Sequence, residues 1–417
     1  MTTAQESLAT GGMMAVRTTE RSARRGPRLQ PTAAFAGTAL AFVAVALAVG
    51  APSPLFVLYE QEWGFQPWLL TVAFAIYAVT LLITLLVAGS LSDHIGRRPV
   101  LIGALALQVV AMLVFLFAPD IGWIIGARSV QGVATGAAMS TFTAALVELA
   151  PEPQKKLGAT IGSTAPVGGI AIGAFLTGLA VQFVPQPTTL VFVTLALLFA
   201  AGILVVVASP ETVERRPGAV RSLIPRLLIP REARSEFAGA IPLFLATWML
   251  AGLFIGLSPS ILHGVFHLDS GLLNGAIVAV PPAVGAVAGL LLTRAPARRT
   301  VVWAMAAIVV GVVIAAIGMT AVSLPLLFAG ATVAGGGFGA GFSAMLRMLA
   351  PLAPNDQRAE LFAGIFLVSY LAYGLPALVA GELISWIGLL PTALGYSAAI
   401  ATAAIVALVV QALRSRR

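Results

Sequence analysis

The sequence predicts an all-α membrane protein: twelve transmembrane helices in two six-helix bundles related by a pseudo-two-fold axis. Three observations carry this expectation. Hydrophobic residues make up 59% of the 417 and charged residues only 10%, too little charge to cover a soluble particle of this size. Apolar stretches of about 20 residues, long enough at 1.5 Å rise per residue to cross a bilayer core, recur along the chain. The Lys and Arg residues between those stretches fall in alternate connections.

A polar segment, 1–32, carries Arg17, Arg21, Arg24, Arg25 and Arg28 and contains no apolar core of a signal peptide. It is expected to be a disordered basic tail. The first six spans follow at roughly 33–58, 68–88, 99–118, 122–147, 157–183 and 189–208. Residues 209–235 read as a linker, with Pro210, Pro217, Pro225 and Pro230 among six arginines. The second six spans lie at roughly 237–262, 271–292, 300–320, 324–349, 360–381 and 391–413. The bundles are therefore expected over 33–208 and 236–413, with a short tail at 414–417.

Charge sets the topology. Arg97 and Arg98, Lys155 and Lys156, Arg215 to Arg234, Arg294 to Arg299, and Arg358 all occupy connections on one side. The opposite connections hold Glu60, Glu62, Asp120, Asp269, Glu382, His263 and His267, with no Lys or Arg. The positive-inside rule then puts both termini in the cytoplasm of a cell whose inner membrane holds the chain. The net charge of +8 is explained by this topology and by anionic lipid headgroups, without nucleic acid. No cysteine is present, which excludes disulfides, thiol catalysis and zinc–thiolate sites. Only three histidines are present, with His94 far from the other two, so no metal or other cofactor is expected. Paired acids, a histidine cluster or an activated serine within the spans are missing too, so an enzyme is not expected.

The two sextets resemble each other. Arg97-Arg98-Pro99-Val100 after the second span matches Arg298-Arg299-Thr300-Val301 after the eighth, and Leu149-Ala150-Pro151 after the fourth matches Leu349-Ala350-Pro351 after the tenth. Gly136 and Gly336 share that register. Halves repeated about an axis along the membrane normal characterise one large transporter architecture.

Between the second and third spans stands Gly89-Ser-Leu-Ser-Asp93-His-Ile-Gly96-Arg97-Arg98-Pro99-Val100. Gly89 permits close helix approach and Gly96 the positive φ of a tight turn. Asp93 is suited to cap a nearby helix start, and Arg97 and Arg98 to bridge to a carboxylate on a neighbouring helix. This stretch resembles the signature loop of the major facilitator superfamily, in the position that family requires. The resemblance implies a monomeric secondary transporter working by rocker-switch alternating access, with a small-molecule substrate and protons as its partners. It also implies that the loop and Glu148, at the end of the fourth span, form a charge cluster that latches the cytoplasmic side. The second-half copy is degenerate, with Arg294 in place of Asp93 and Ala297 in place of Gly96.

Further residues resemble the twelve-span drug/proton antiporter branch. Arg128-Ser-Val-Gln131-Gly132 is similar to the superfamily's R-x-x-Q-G motif, which implies a part for Arg128 and Gln131 in proton coupling or in contact with an anionic substrate. Snorkelling of Arg128 to the outer interface is the alternative. In the fifth span Gly158 to Gly169, with Pro166, Gly168 and Gly169, is similar to the antiporter motif but has Ala165 where the family has glycine. Pro52 and Pro54, followed by Glu60, suit a moving gate or a static bend. Arg347, near the inner end of the tenth span, is expected to snorkel. No acidic residue falls clearly at mid-membrane. The family implies a substrate path between the halves; candidate lining residues are Phe56, Gln131, Thr135, Trp248, Phe254, Phe338, Phe342, Tyr370 and Tyr373. The scarcity of polar groups favours export of small lipophilic compounds or drugs over a sugar or metabolite carrier.

Overall fold

The computed structural model describes residues 29–66, 68–225, 229–354 and 357–415. The arginines of the N-terminal tail, and with them its expected disorder, lie outside the described residues, as do Arg226, Arg416 and Arg417. What is described is helical, and twelve helices are long and apolar enough to cross a membrane. Spans 1 to 6 are Pro31–Trp63, Trp68–Ala88, Arg97–Leu116, Ile121–Leu149, Glu152–Phe183 and Pro187–Ala208. Spans 7 to 12 are Arg231–Gly264, Gly271–Arg294, Ala297–Thr320, Leu324–Leu352, Glu360–Ile387 and Leu389–Arg414. The chain is a multi-pass membrane protein.

Local chemistry sets many of the ends. Proline stands at the first helical position of spans 1 and 6, where its missing N–H is not needed. The Asp120 carboxylate accepts from the N–H of Gly122 (2.8 Å) and of Trp123 (3.3 Å) at the start of span 4, and Ser270 caps span 8. Span 7 starts at Arg231, directly after Pro230 and earlier than the apolar pattern indicates. Its polar first turns are held by Arg414 of span 12, which pairs with Glu236 at 2.7 Å. Within span 7 the α-helix gives way to a π-helical stretch, Gly252–Leu257, before resuming at Ser258.

The two halves use the same packing plan. In the first, span 1 packs on 5 and 6, span 2 on 4, and span 3 on 4 and 6; in the second, span 7 packs on 11 and 12, span 8 on 10, and span 9 on 10 and 12. One large apolar core fills each half. The outward sides carry exposed leucines, valines and tryptophans, such as Leu40, Leu197, Leu204 and Trp303, as a lipid-facing surface requires.

Spans 5 and 8, and spans 2 and 11, join the halves. At the first crossing a Cβ on Gly178 would stand 2.6 Å from the Gly271 carbonyl oxygen and from the Gly275 Cα, so backbones touch there. Among the described residues, the hydrogen bonds between halves all lie at the end away from the arginine-bearing connections. Gln61 Nε2 donates to Asp269 Oδ1 (3.0 Å), and Gln182 Oε1 accepts from Ser270 Oγ (3.0 Å) and from the N–H of Leu272 (3.4 Å).

Candidate functional site

Two groups of the expected site residues come together in space, one at the arginine-bearing end and one between the halves.

In the loop Ser90–Arg98, Gly96 has φ +100°, a conformation that favours glycine, and it reverses the chain into span 3. Arg97 is thereby aimed at span 4. Its Nη2 donates to Glu148 Oε1 at 3.0 Å, its Nη1 donates to Ser92 Oγ at 2.7 Å, and it forms an ion pair with Asp93. Asp93, Arg97 and Glu148 thus form one cluster, with the guanidinium side chain only 12% exposed. Gly89 joins through its carbonyl, which accepts from Ser140 Oγ of span 4 at 3.2 Å.

Two expected contacts of this loop are made by other groups. Asp93 does not cap span 3; the carboxylate of Glu211, just beyond span 6, accepts from the backbone N–H of Arg97 (2.8 Å) and of Arg98 (3.1 Å). The i,i+4 ion pair with Arg97 holds Asp93 away from those amides. Arg98 does not bridge to a carboxylate; it donates to the carbonyls of Val206 and Val207 at the end of span 6. The linker continues over the loop: Thr212 Oγ1 donates to Glu148 Oε2, and the N–H of Arg216 donates to the His94 carbonyl at 2.9 Å. The hydrogen bonds and ion pairs of the loop stay within the first half and the linker. In the second half the equivalent clamp has opposite polarity. Arg347 of span 10 does not snorkel but donates to the carbonyls of Leu292 and Thr293 in the last turn of span 8 and of Ala295 just after it.

Between the halves, Arg128 does not reach the outer interface either. It is 1% exposed and, among the described residues, is the only buried charged side chain. Its Nη1 donates to Gln131 Oε1 (2.6 Å), its Nε donates to the Ala73 carbonyl (3.4 Å), and it lies 4.1 Å from the centre of the Tyr77 ring. A buried arginine within a span costs up to about 2.5–3.5 kcal/mol on insertion scales, and these partners offset part of that. Gln131 Nε2 in turn donates to the Ala48 carbonyl at 2.6 Å. That carbonyl is available because the residue four positions on is Pro52, which has no N–H to return. Thr135 donates to the Gln131 carbonyl and accepts from Gln108 Nε2 at 3.0 Å. One buried polar chain thus ties spans 1, 2, 3 and 4.

Facing it are aromatic rings of spans 7, 10 and 11. Trp248 lies 4.9 Å from Tyr370, 6.3 Å from Tyr373, 5.7 Å from Phe342 and 6.3 Å from Phe338, ring centre to ring centre. Trp248, Phe338, Phe342 and Tyr370 are half-buried and Tyr373 is nearly covered. Phe56 and Phe254 are buried in the packing, Phe56 edge-on to Phe74 at 5.1 Å. In span 5, Pro166 lies inside the helix, Gly169 packs on Ala46 of span 1, and a Cβ on Gly168 would have open space around it. Pro54 is buried beside the break at Ala51, and Glu60 is half-buried near the end of span 1. Tyr77 and Glu211 escaped sequence reasoning. Nothing local distinguishes Tyr77 from any membrane tyrosine, whereas Glu211 could have been suspected from its position just past a helix end, beside an arginine-rich loop.

A family model described as "Major Facilitator Superfamily" matches residues 38–317, two thirds of the chain. The chain belongs to the major facilitator superfamily. Solved major facilitator structures share its fold over nearly their whole length. A variant of the nucleoside transporter NupG superposes with a TM-score of 0.67 at 12% identity, covering 91% of this chain and 99% of that one. The human organic anion transporter MFSD10 (TETRAN) gives 0.64 at 17% identity over 90% and 98%. A POT family transporter, solved with a thioalcohol-conjugated peptide, gives 0.70 at 11% identity over 93% and 96%. Among curated proteins, the 4-hydroxybenzoate transporter PcaK of Pseudomonas aeruginosa is 26% identical over 182 residues. That match covers 44% of this major facilitator and 39% of the relative.

Proposed function

We propose that this major facilitator is a secondary active carrier that exports small lipophilic compounds by rocker-switch alternating access, in exchange for protons. The arginine-bearing end and both termini face the cytoplasm in this reading, as the charge distribution of the connections requires. One observation carries it. The hydrogen bonds that join the halves sit at one end, and the half-buried Trp248, Tyr370, Phe338 and Phe342 stand between the halves beyond them. An arrangement closed at one end, with an apolar aromatic wall behind it, suits a solute with a flat hydrophobic body. The charge cluster around Arg97 then acts on the cytoplasmic side by stiffening the first half and its linker as a unit. A carrier of small aromatic metabolites is the second reading, favoured by the name of the 4-hydroxybenzoate relative.

The test is proton movement in proteoliposomes holding a preformed pH gradient. Lipophilic cations, neutral drugs, sugars and aromatic acids are added in turn. Dissipation of the gradient by a lipophilic compound, absent in protein-free liposomes, is the expected outcome. Flux of labelled compound without proton movement would overturn the exchange, and flux of sugars alone would overturn the lipophilic cargo.

A further inference from the structure

The join between the halves at the end away from the arginines carries acid on both sides. Asp269 Oδ1, in the connection after span 7, accepts from Gln61 Nε2 of span 1 at 3.0 Å. The same oxygen lies 2.5 Å from Nδ1 of His263, in the last turns of span 7. Glu60 of span 1 is within electrostatic reach of His263 from the other half. His263 thus has a carboxylate of each half as its neighbour.

Only histidine can balance the acids at this end. The connections there also hold Glu62, Asp120 and Glu382, and no Lys or Arg. The segment Ser258–Gly264, which carries His263, packs on the adjoining parts of spans 1, 8 and 12. Span 1 brings Glu60 and Glu62 there, the connection brings His267 and Asp269, and spans 8 and 12 bring no carboxylate or amine. Tyr59 of span 1 and Tyr396 of span 12 are phenols, a group that is neutral at neutral pH.

Protonation therefore decides whether the join attracts or repels. With His263 neutral, Asp269 and Glu60 are like charges on opposite halves with no cation beside them, which opposes closure. With His263 protonated, one imidazolium pairs with Asp269 and attracts Glu60 across the interface. The side chain of His263 is 44% exposed and that of Asp269 60%, so the medium supplies the proton and also screens the charges. Closure gains this support below the range in which histidine titrates and loses it as the pH rises through that range.

We propose that His263 is a proton-operated latch: protonated from the arginine-free side it holds that end closed, and loss of the proton frees the halves to part there. This rests on the alternating-access reading above and assigns the group through which protons on that side act on closure. An exchange of cargo for protons requires this direction, because the end must shut behind an incoming proton.

The experiment measures the distance between spin labels on cysteines placed at Thr189 and Thr320, in the full chain in phosphatidylcholine nanodiscs. Both positions are exposed, stand at the arginine-free ends of spans 6 and 9, and lie outside the join; no native cysteine competes for label. From about pH 8.5 to about pH 5.5 the ratio of the short to the long distance should rise about two- to fivefold. His263→Gln should flatten that response and His267→Asn should keep it. Asp269→Asn, which retains the oxygen that accepts from Gln61 but removes the charge, should flatten it too. A response that persists in both the His263 and Asp269 variants would overturn the assignment. An unchanged ratio in the parent, with the long distance appearing in Gly178→Leu, would overturn the latch and leave alternating access in place. One distance in both proteins at both pH values would overturn alternating access and the latch together.

Discussion

At the scale of single residues, the loop cluster divides its work between two carboxylates. Glu148 meets the charge of Arg97, while Glu211 meets the N–H groups that open span 3. These are separable. Glu211→Ala should lower thermal stability by about 0.5–2 kcal/mol, the usual loss when a helix start is uncapped; unfolding of the purified protein in detergent measures it. An unchanged melting temperature would show that water replaces the cap. Arg97→Gln and Glu148→Gln should not be additive, with a coupling of about 0.5–3 kcal/mol in a double-mutant cycle. Additivity would remove the pair as an energetic unit. Proline at 52 matters through what it lacks: the unclaimed Ala48 carbonyl is what anchors Gln131 beside Arg128.

At the scale of elements, the halves hold their corresponding loops with opposite charges. Span 4 offers a carboxylate to an arginine of the loop; span 10 offers an arginine to carbonyls at the end of span 8 and just beyond it. Both devices fix the connection against the same neighbouring span, so the repeat preserves the mechanical link while its chemistry has changed. The crossing of spans 5 and 8 brings backbones of the two halves together. Gly178→Leu would drive a side chain into the backbone of span 8. The arginine-free end should then open, exposing a cysteine introduced at Ser270 to a water-soluble thiol reagent several times faster than in the parent; an unchanged labelling rate would mean that the crossing does not control closure.

At the scale of the whole molecule, the proposed alternating access demands that the end joined by Gln61–Asp269 and Gln182–Ser270 come apart in each cycle. The chain contains no cysteine, so introduced pairs report without a background. Cysteines at Gln182 and Ser270, bridged by a short bifunctional thiol reagent, should abolish transport, and reduction of a cleavable bridge should restore it. Transport that survives complete bridging would rule out separation of the halves at that end.

Sequence alone determined the class, the twelve spans, the repeat and the family loop. Each rests on local quantities: hydropathy over about 20 residues, charge in a connection, or residue types at fixed spacing. The pairing of Arg97 with Glu148 was legible for the same reason, since the family position of the loop points to the neighbouring end of span 4. Tertiary structure decided what depends on distances between helices. It set Glu211 rather than Asp93 on the start of span 3, turned Arg98 to the end of span 6 and Arg347 to carbonyls at the end of span 8 and just beyond it, and placed Tyr77 on Arg128. A long side chain in a low-dielectric interior takes whichever partner packing brings within about 3 Å, and packing is a property of the assembled bundle. The π-helical turn in span 7, Gly252–Leu257, likewise came only from the structure.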